Sequence, residues 1–374
     1  MNPAHLGQFL ILGIPGTTID APLREWLKSI NPGGYILFGR NIESPRQVHE
    51  LITDLRSINP VEEPIIGIDE EGGRVSRLRP ILDHPLPSPG EIAANHTFRN
   101  QSFANLGLIT AEVLKFFGFT MNFAPVLDRS LGSDTQDGVL RQRCFGTTSM
   151  DIISRAGLFL NKLERAGIHG CGKHFPTYTG AGVDPHHQLP TINGDVNALL
   201  AGEMAPFAAM LPDLRAVMTA HAWFKDLDPQ SPGLPASLSQ NVITQLLRNQ
   251  LSYDGLVMTD DLDMAGAQAN CSVPEAAAQA LAAGTDMLLV CHKLENVPAI
   301  IDAIGKLPHH VLQDAASRIE QHRRQIKPVI AAFNETELAR LNKQILKFRI
   351  QVFGSEERAL DYNYDAPANN VESY

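Results

Sequence analysis

The chain has 374 residues, 44% of them hydrophobic and 19% charged, with a formal net charge of −10. That balance describes a globular protein with room for a sizeable core, in one large domain or two ordinary ones. The acidic surplus argues against a nucleic-acid or anionic-membrane surface, and four scattered cysteines (Cys144, Cys171, Cys271, Cys291) indicate neither a disulfide framework nor a zinc site.

In chain order, eight apolar, strand-like runs stand out: Phe9–Gly13, Gly34–Phe38, Ile65–Asp69, Thr120–Ala124, Gly170–His174, Ala216–Ala220, Leu256–Thr259 and Met287–Val290. The first belongs to Phe9-Leu-Ile-Leu-Gly-Ile14, which is too short to span a bilayer and has no basic region before it. A cytoplasmic protein is the expectation. Leu106, Ile109, Val113 and Phe116 share one helical face before the fourth run. Ile152, Ala156, Phe159, Leu160 and Leu163 do so after it. Pro274 to Ala283 is Ala-rich and helix-favouring. Asn296 to about Lys327 reads as helix, and Glu335 to Phe348 as a further helix that could close a barrel. The expected organisation is one domain over residues 1–350 and a C-terminal polar tail over 351–374, of which Asp361 to Tyr374 is expected to wrap the surface or be disordered. Eight strands alternating with helices point to an α/β fold of the (β/α)8 barrel type. A doubly wound sheet is the structural alternative.

Polar groups follow the strands. Arg40 comes after the second run, Asp69 ends the third, and Asp128 follows the fourth. Lys173 and His174 end the fifth, and His221, Asp260 and His292 follow the remaining three. In a barrel these carboxyl ends share one face, where active sites of that fold sit. The run Leu256 to Met264 starts as a buried strand and exits in Asp260, Asp261 and Asp263. Adjacent carboxylates repel and cost free energy to desolvate, which gives them a use or makes one a helix cap. Asp69-Glu-Glu-Gly-Gly-Arg-Val-Ser-Arg77 combines a tight glycine turn with forked donors. Its two glutamates would repel an anion, so a neutral polyhydroxylated ligand suits it better than phosphate. Asp184 and His186 are close enough for a carboxylate to orient an imidazole, the pairing used in general acid–base catalysis. A metal site from His174, His186, His187 and Asp260 is the rival reading, without a second clustered ligand set to support it.

Six segments then carry a resemblance: Asp69 to Arg77, Asn122 to Asp128, Arg143-Cys-Phe-Gly146, Lys173-His-Phe-Pro176, Met218-Thr-Ala-His221 and Thr259 to Met264. In this order they resemble the short, single-domain bacterial β-N-acetylglucosaminidases of glycoside hydrolase family 3. The resemblance implies a retaining exo-enzyme that releases terminal N-acetylglucosamine from peptidoglycan-derived fragments, with neither cofactor nor metal. It makes Asp260 the nucleophile and the Asp184/His186 pair the general acid/base. Asp69, Arg77, Arg143, Lys173 and His174 would hold the terminal sugar. That plan replaces one of the usual two carboxylates by an imidazole. Other sugar preferences, a phosphorylase, or a sugar-binding protein of weak activity are the alternatives. The chain departs from the family where Thr177-Tyr-Thr-Gly-Ala181 stands for Gly-His-Gly-Asp-Thr, and where Pro185 takes the place of a serine. These changes put loop mobility and substrate choice in question. Trp223 follows strand six where the family has Tyr-Pro nearby; a packing role is expected over sugar stacking.

Overall fold

A computed structural model describes residues 3–58, 63–94, 100–133, 138–327 and 331–361. All eight apolar runs are strands of one closed parallel barrel. We number them β1 (Leu10–Gly13), β2 (Gly34–Leu37), β3 (Ile65–Ile68), β4 (Met121–Asn122), β5 (His169–Phe175), β6 (Ala216–Thr219), β7 (Leu256–Asp261) and β8 (Met287–Val290). Each strand pairs with its sequence neighbour, and β1 closes on β8 through Leu10 against Leu288 and Leu12 against Val290. The runs lack polar alternation because a barrel strand is buried on both faces, by the barrel interior and by the outer helices.

Two breaks in register shape the C-terminal mouth of the barrel. Between β7 and β8, Met258 pairs with Met287 but Asp261 with Leu289, so β7 carries an extra residue near its exit. Between β5 and β6, Lys173 pairs with Met218 but Phe175 with Thr219. Neighbouring residues on a regular strand point to opposite faces, and a bulge re-aims one of them. Both bulges fall where two consecutive polar residues leave the barrel.

The helix Gln101–Phe117 buries Leu106, Ile109 and Val113, while Phe116 is only half-buried. Ser149–Arg165 buries all five of its anticipated apolar positions, and Thr148 caps it by accepting from the Asp151 amide. These two helices pack on each other through Gly107. A β-carbon there would lie 2.2 Å from the Phe159 carbonyl oxygen. Gly107→Ala is therefore expected to destabilise the fold despite alanine's gain of about 1 kcal/mol in helix propensity. Overpacking against an unyielding backbone costs about 3 kcal/mol, leaving a net loss of about 2 kcal/mol. Urea unfolding should show a lower midpoint at unchanged slope.

Other sequence expectations are corrected. The stretch after β8 is not one helix but Val297–Ile304 and His309–Arg323. Gly305 and Pro308 lie in the break, and proline lacks the amide that an unbroken helix would use. The barrel closes through β1 and β8 rather than through a C-terminal helix. That helix, Glu335–Phe353, packs outside against Gln101–Phe117. It crosses residue 350, and a short helix Glu356–Leu360 follows. Buried Arg349 joins them by donating to the Ala359 and Pro85 carbonyls at 2.8 and 2.9 Å. The tail beyond residue 361 lies outside the described residues. Among the described residues, no helix is long and apolar enough to cross a membrane.

Candidate active site

The C-terminal ends of the strands open into a pocket lined by Asp69, Arg77, Arg143, Lys173, His174, His186 and Asp260. These are seven of the eight residues expected from the sequence. The eighth, Asp184, stands behind His186. Tyr178, Glu71 and His292 also line the pocket.

One wall is an ion-pair network. Beyond β3, Asp69 and Glu71 face the pocket while Glu70 turns away, as strand alternation requires. Buried Glu70 accepts from Ser76 Oγ at 2.5 Å and from the Leu78 amide at 3.1 Å, and burial pushes its carboxyl up to about 7. Gly72 and Gly73, both at positive φ (90° and 58°), make the turn that brings Arg77 back. Lys173 Nζ lies 2.6 Å from Asp69 and 2.7 Å from Glu71. Arg143 grips Glu71 with both arms of its fork, at 2.8 and 2.9 Å. Burial would raise the Glu71 carboxyl, but Arg143 and Lys173 outweigh it and hold the group below the ordinary carboxylate range. Arg77 approaches Asp69 at 3.6 Å. Cations and carboxylates alternate along this wall, which suits a ligand of many hydroxyls and no charge.

The sequence does not single out Glu71. In an acidic run only the local alternation separates a pocket-facing glutamate from a buried or solvated one.

The second wall is His174 with its supports. The β5 bulge lets consecutive Lys173 and His174 both face the pocket. Asp128 accepts from His174 Nδ1 at 2.7 Å, and also from Thr177 Oγ1 (3.0 Å) and the Tyr178 amide (2.6 Å). Burial raises this carboxyl, and the bonds from His174 and the loop more than offset that, so it stays ionised. The departing loop residues thus build their own support. Thr177, Tyr178 and Thr179 are buried, and Thr179 Oγ1 donates to the Arg129 carbonyl at 3.1 Å.

The floor is Asp260. Its Oδ1 accepts from the Asp261 amide at 2.9 Å, and Tyr178 OH reaches its Oδ2 at 3.4 Å. Withdrawal from water raises the Asp260 carboxyl, but His174, His221, His186 and the Asp261 amide together bring it below its ordinary value. Its neighbour takes the opposite course. Burial, Asp263 and Asp260 push Asp261 up to about 7, while its Oδ1 accepts from the Asp263 and Cys291 amides. Neither aspartate caps the next helix, Val273–Ala282, which begins at Ser272 with its amide held by Glu275 at 2.8 Å. His221 is fully buried, bonding Ser237 Oγ at 2.7 Å and the Asp261 carbonyl at 3.0 Å. It props up the floor. Arg40 likewise ties strand ends together, through the Ile14 and Cys291 carbonyls and His292.

His186 closes the pocket from the loop after β5. Its Nδ1 meets Asp184 Oδ1 at 2.5 Å, and its amide bonds the same oxygen at 2.9 Å. Burial raises Asp184, and the bonds from His186 outweigh it, so the carboxyl lies below its usual range. The turn docks on the segment after β7: the Gly266 amide donates to the Pro185 carbonyl at 3.0 Å. A β-carbon at Gly266 would fall 2.9 Å from that oxygen and 3.0 Å from the His221 carbonyl. Gly266→Ala is therefore expected to displace the Asp184/His186 turn and lower kcat by about a hundredfold with modest change in stability. Steady-state kinetics beside a thermal melt would check both halves.

His187 is exposed outside this constellation, and among the described residues no group of three or more side chains could hold a metal ion. Trp223 is half-buried in a two-stranded pairing of Trp223–Phe224 with Thr191–Ile192.

Known proteins share this architecture. A family model described as "Glycosyl hydrolase family 3 N terminal domain" matches residues 5–322. The chain belongs to glycoside hydrolase family 3. A protein of Pseudomonas aeruginosa named beta-hexosaminidase is 34% identical over 298 residues, covering 80% of this chain and 86% of its own. Among solved structures, a family 3 β-N-acetylglucosaminidase from a Paenibacillus strain superposes with a TM-score of 0.83 at 30% identity. It covers 93% of this chain and 68% of its own. NagZ from Neisseria gonorrhoeae, solved with N-trifluoroacetyl-D-glucosamine, has a TM-score of 0.76 at 26% identity over 94% of this chain and 98% of its own. The family thus has the barrel found here.

Proposed function

We propose that the chain is a retaining exo-β-N-acetylglucosaminidase in which Asp260 is the nucleophile and Asp184/His186 the general acid/base. The observation that carries this reading is the pairing at one pocket of Asp260, held ionised on a rigid strand end, with an imidazole braced by its own carboxylate. Asp260 attacks C1 of the terminal sugar while His186 gives its proton to the departing oxygen. Water then enters, returns a proton to His186 and releases the sugar with its original configuration. Asp69, Arg77, Arg143, Lys173 and His174 take the hydroxyls of that sugar. The named relatives support N-acetylglucosamine as the unit released. The natural substrates are then peptidoglycan-derived fragments in the cytoplasm, and the catalytic domain expected over residues 1–350 carries on through the helix pair that ends at Leu360.

A panel of aryl β-glycosides at pH 5 to 8 tests the reading, with and without phosphate. Selective release from the N-acetylglucosaminide, unaffected by phosphate, is expected. Preference for the glucoside or xyloside would overturn the sugar assignment. Formation of a sugar 1-phosphate would make the protein a phosphorylase, and tight N-acetylglucosamine binding without turnover would make it a binding protein.

A further inference from the structure

Tyr178 stands in the stretch where this chain departs from the family pattern, and it reaches the reacting carboxylate. Its ring lies against His174, with centroids 4.7 Å apart and planes at 48°. Its amide is fixed on Asp128 at 2.6 Å, and its hydroxyl accepts from the His221 amide at 2.7 Å. A phenol has one proton. With the His221 amide already on the oxygen, that proton is directed at Asp260 Oδ2, 3.4 Å away. Burial and the charge of Asp260 raise the phenol far above its ordinary value, so it remains a donor throughout the working pH range.

Resting on the assignment of Asp260 as nucleophile, we propose that Tyr178 is a catalytic hydrogen-bond donor that speeds breakdown of the glycosyl-enzyme more than its formation. In the second step water adds to C1 and passes a proton to His186. The bond from C1 to Asp260 breaks, and its electron pair returns to the carboxylate. Negative charge grows on Asp260 as this happens, so a donor already aimed there binds the transition state more tightly than the ester. In the first step the carboxylate loses charge, and the same bond weakens on the way up. The hydroxyl therefore gives that step no acceleration. A separation of 3.4 Å is long for such a bond, and contacts of this kind tighten once the ligand is in place.

The test is Tyr178→Phe, which keeps the ring on His174 and removes the hydroxyl, taking away the donor to Asp260 and the acceptor of the His221 amide. With an aryl β-N-acetylglucosaminide bearing a good leaving group, kcat is expected to fall about tenfold. The ratio kcat/KM should hold or rise, KM should drop, and a sugar adduct on Asp260 should accumulate in intact-mass and peptide analysis. Parallel falls in kcat and kcat/KM without adduct, or wild-type behaviour, would overturn the proposal. An Asp260→Ala arm separates the two readings. If it retains turnover, the nucleophile assignment itself fails. If it is inactive while the phenylalanine variant behaves as wild type, the role of Tyr178 alone fails. A ring-fluorinated tyrosine at 178 strengthens the donor without changing its shape and covers the case of a poorly folding phenylalanine variant. Faster breakdown of the adduct is expected from it, and an unchanged rate would count against the proposal.

Discussion

Asp260→Ala is expected to lower kcat/KM by at least about ten-thousandfold, the order of effect seen when a covalent nucleophile is removed. Three imidazoles surround this carboxylate, and their pull, with that of the Asp261 amide, exceeds the penalty of withdrawing it from water. A group with a depressed pKa is ionised above that value, and the ionised form is lost as pH falls through it. Activity should therefore persist to a lower pH than an ordinary carboxylate would allow. The substitution leaves the Asp261 amide and the Tyr178 hydroxyl without their acceptor, which costs about 1–3 kcal/mol. A domain with an ordinary margin of about 5–15 kcal/mol remains folded. A normal thermal transition with N-acetylglucosamine binding and no turnover is the expected combination. Wild-type kinetics from a verified Asp260→Ala preparation would remove the covalent mechanism.

The barrel is legible in the sequence because burial on both faces writes a strand as an uninterrupted apolar run. Eight such runs between helical periodicities leave few other folds. The helix after β8 reads too long because Ile300, Ile304, Leu312 and Ala315 suggest one continuing apolar stripe, which periodicity alone carries across the break at Gly305 and Pro308. The pocket is legible in part. Lys173-His174 and Asp260-Asp261 stand out as polar pairs, but strand alternation would send the members of each pair to opposite faces. What brings both to the pocket is a bulge in each strand, and a bulge depends on the partner's register. Glu71 and Tyr178 escape for a different reason. Their importance lies in contacts with Arg143 and Asp260, at sequence separations of 72 and 82 residues. Nothing local distinguishes Tyr178 from any tyrosine placed on a loop for packing. The loop's departure from the family pattern reads as a loss, whereas Thr177, Tyr178 and Thr179 supply a replacement set of bonds.

His186→Ala is the second large effect expected, and its size should depend on the substrate. General acid–base catalysis contributes about a hundredfold to ten-thousandfold. An aryl glycoside whose phenolate leaves without a proton bypasses the acid role, so its glycosylation rate should fall little. An alkyl or sugar aglycone needs that proton, and its turnover should fall by the full amount. Water attack in the second step needs the base whatever the aglycone was, so the glycosyl-enzyme should accumulate from the activated substrate. Azide, which attacks C1 without surrendering a proton, should restore the second step and yield the β-glycosyl azide. Asp184→Asn tests the brace separately. Its carboxylate oxygen lies 2.5 Å from His186 Nδ1 and fixes which way the ring faces, a hold that an amide would loosen. A smaller loss in the same steps is expected, read as lower turnover of the alkyl glycoside and slower breakdown of the glycosyl-enzyme. Wild-type turnover by Asp184→Asn, beside an inactive His186→Ala that azide fails to rescue, would leave His186 a structural residue and send the search for the proton donor elsewhere in the pocket.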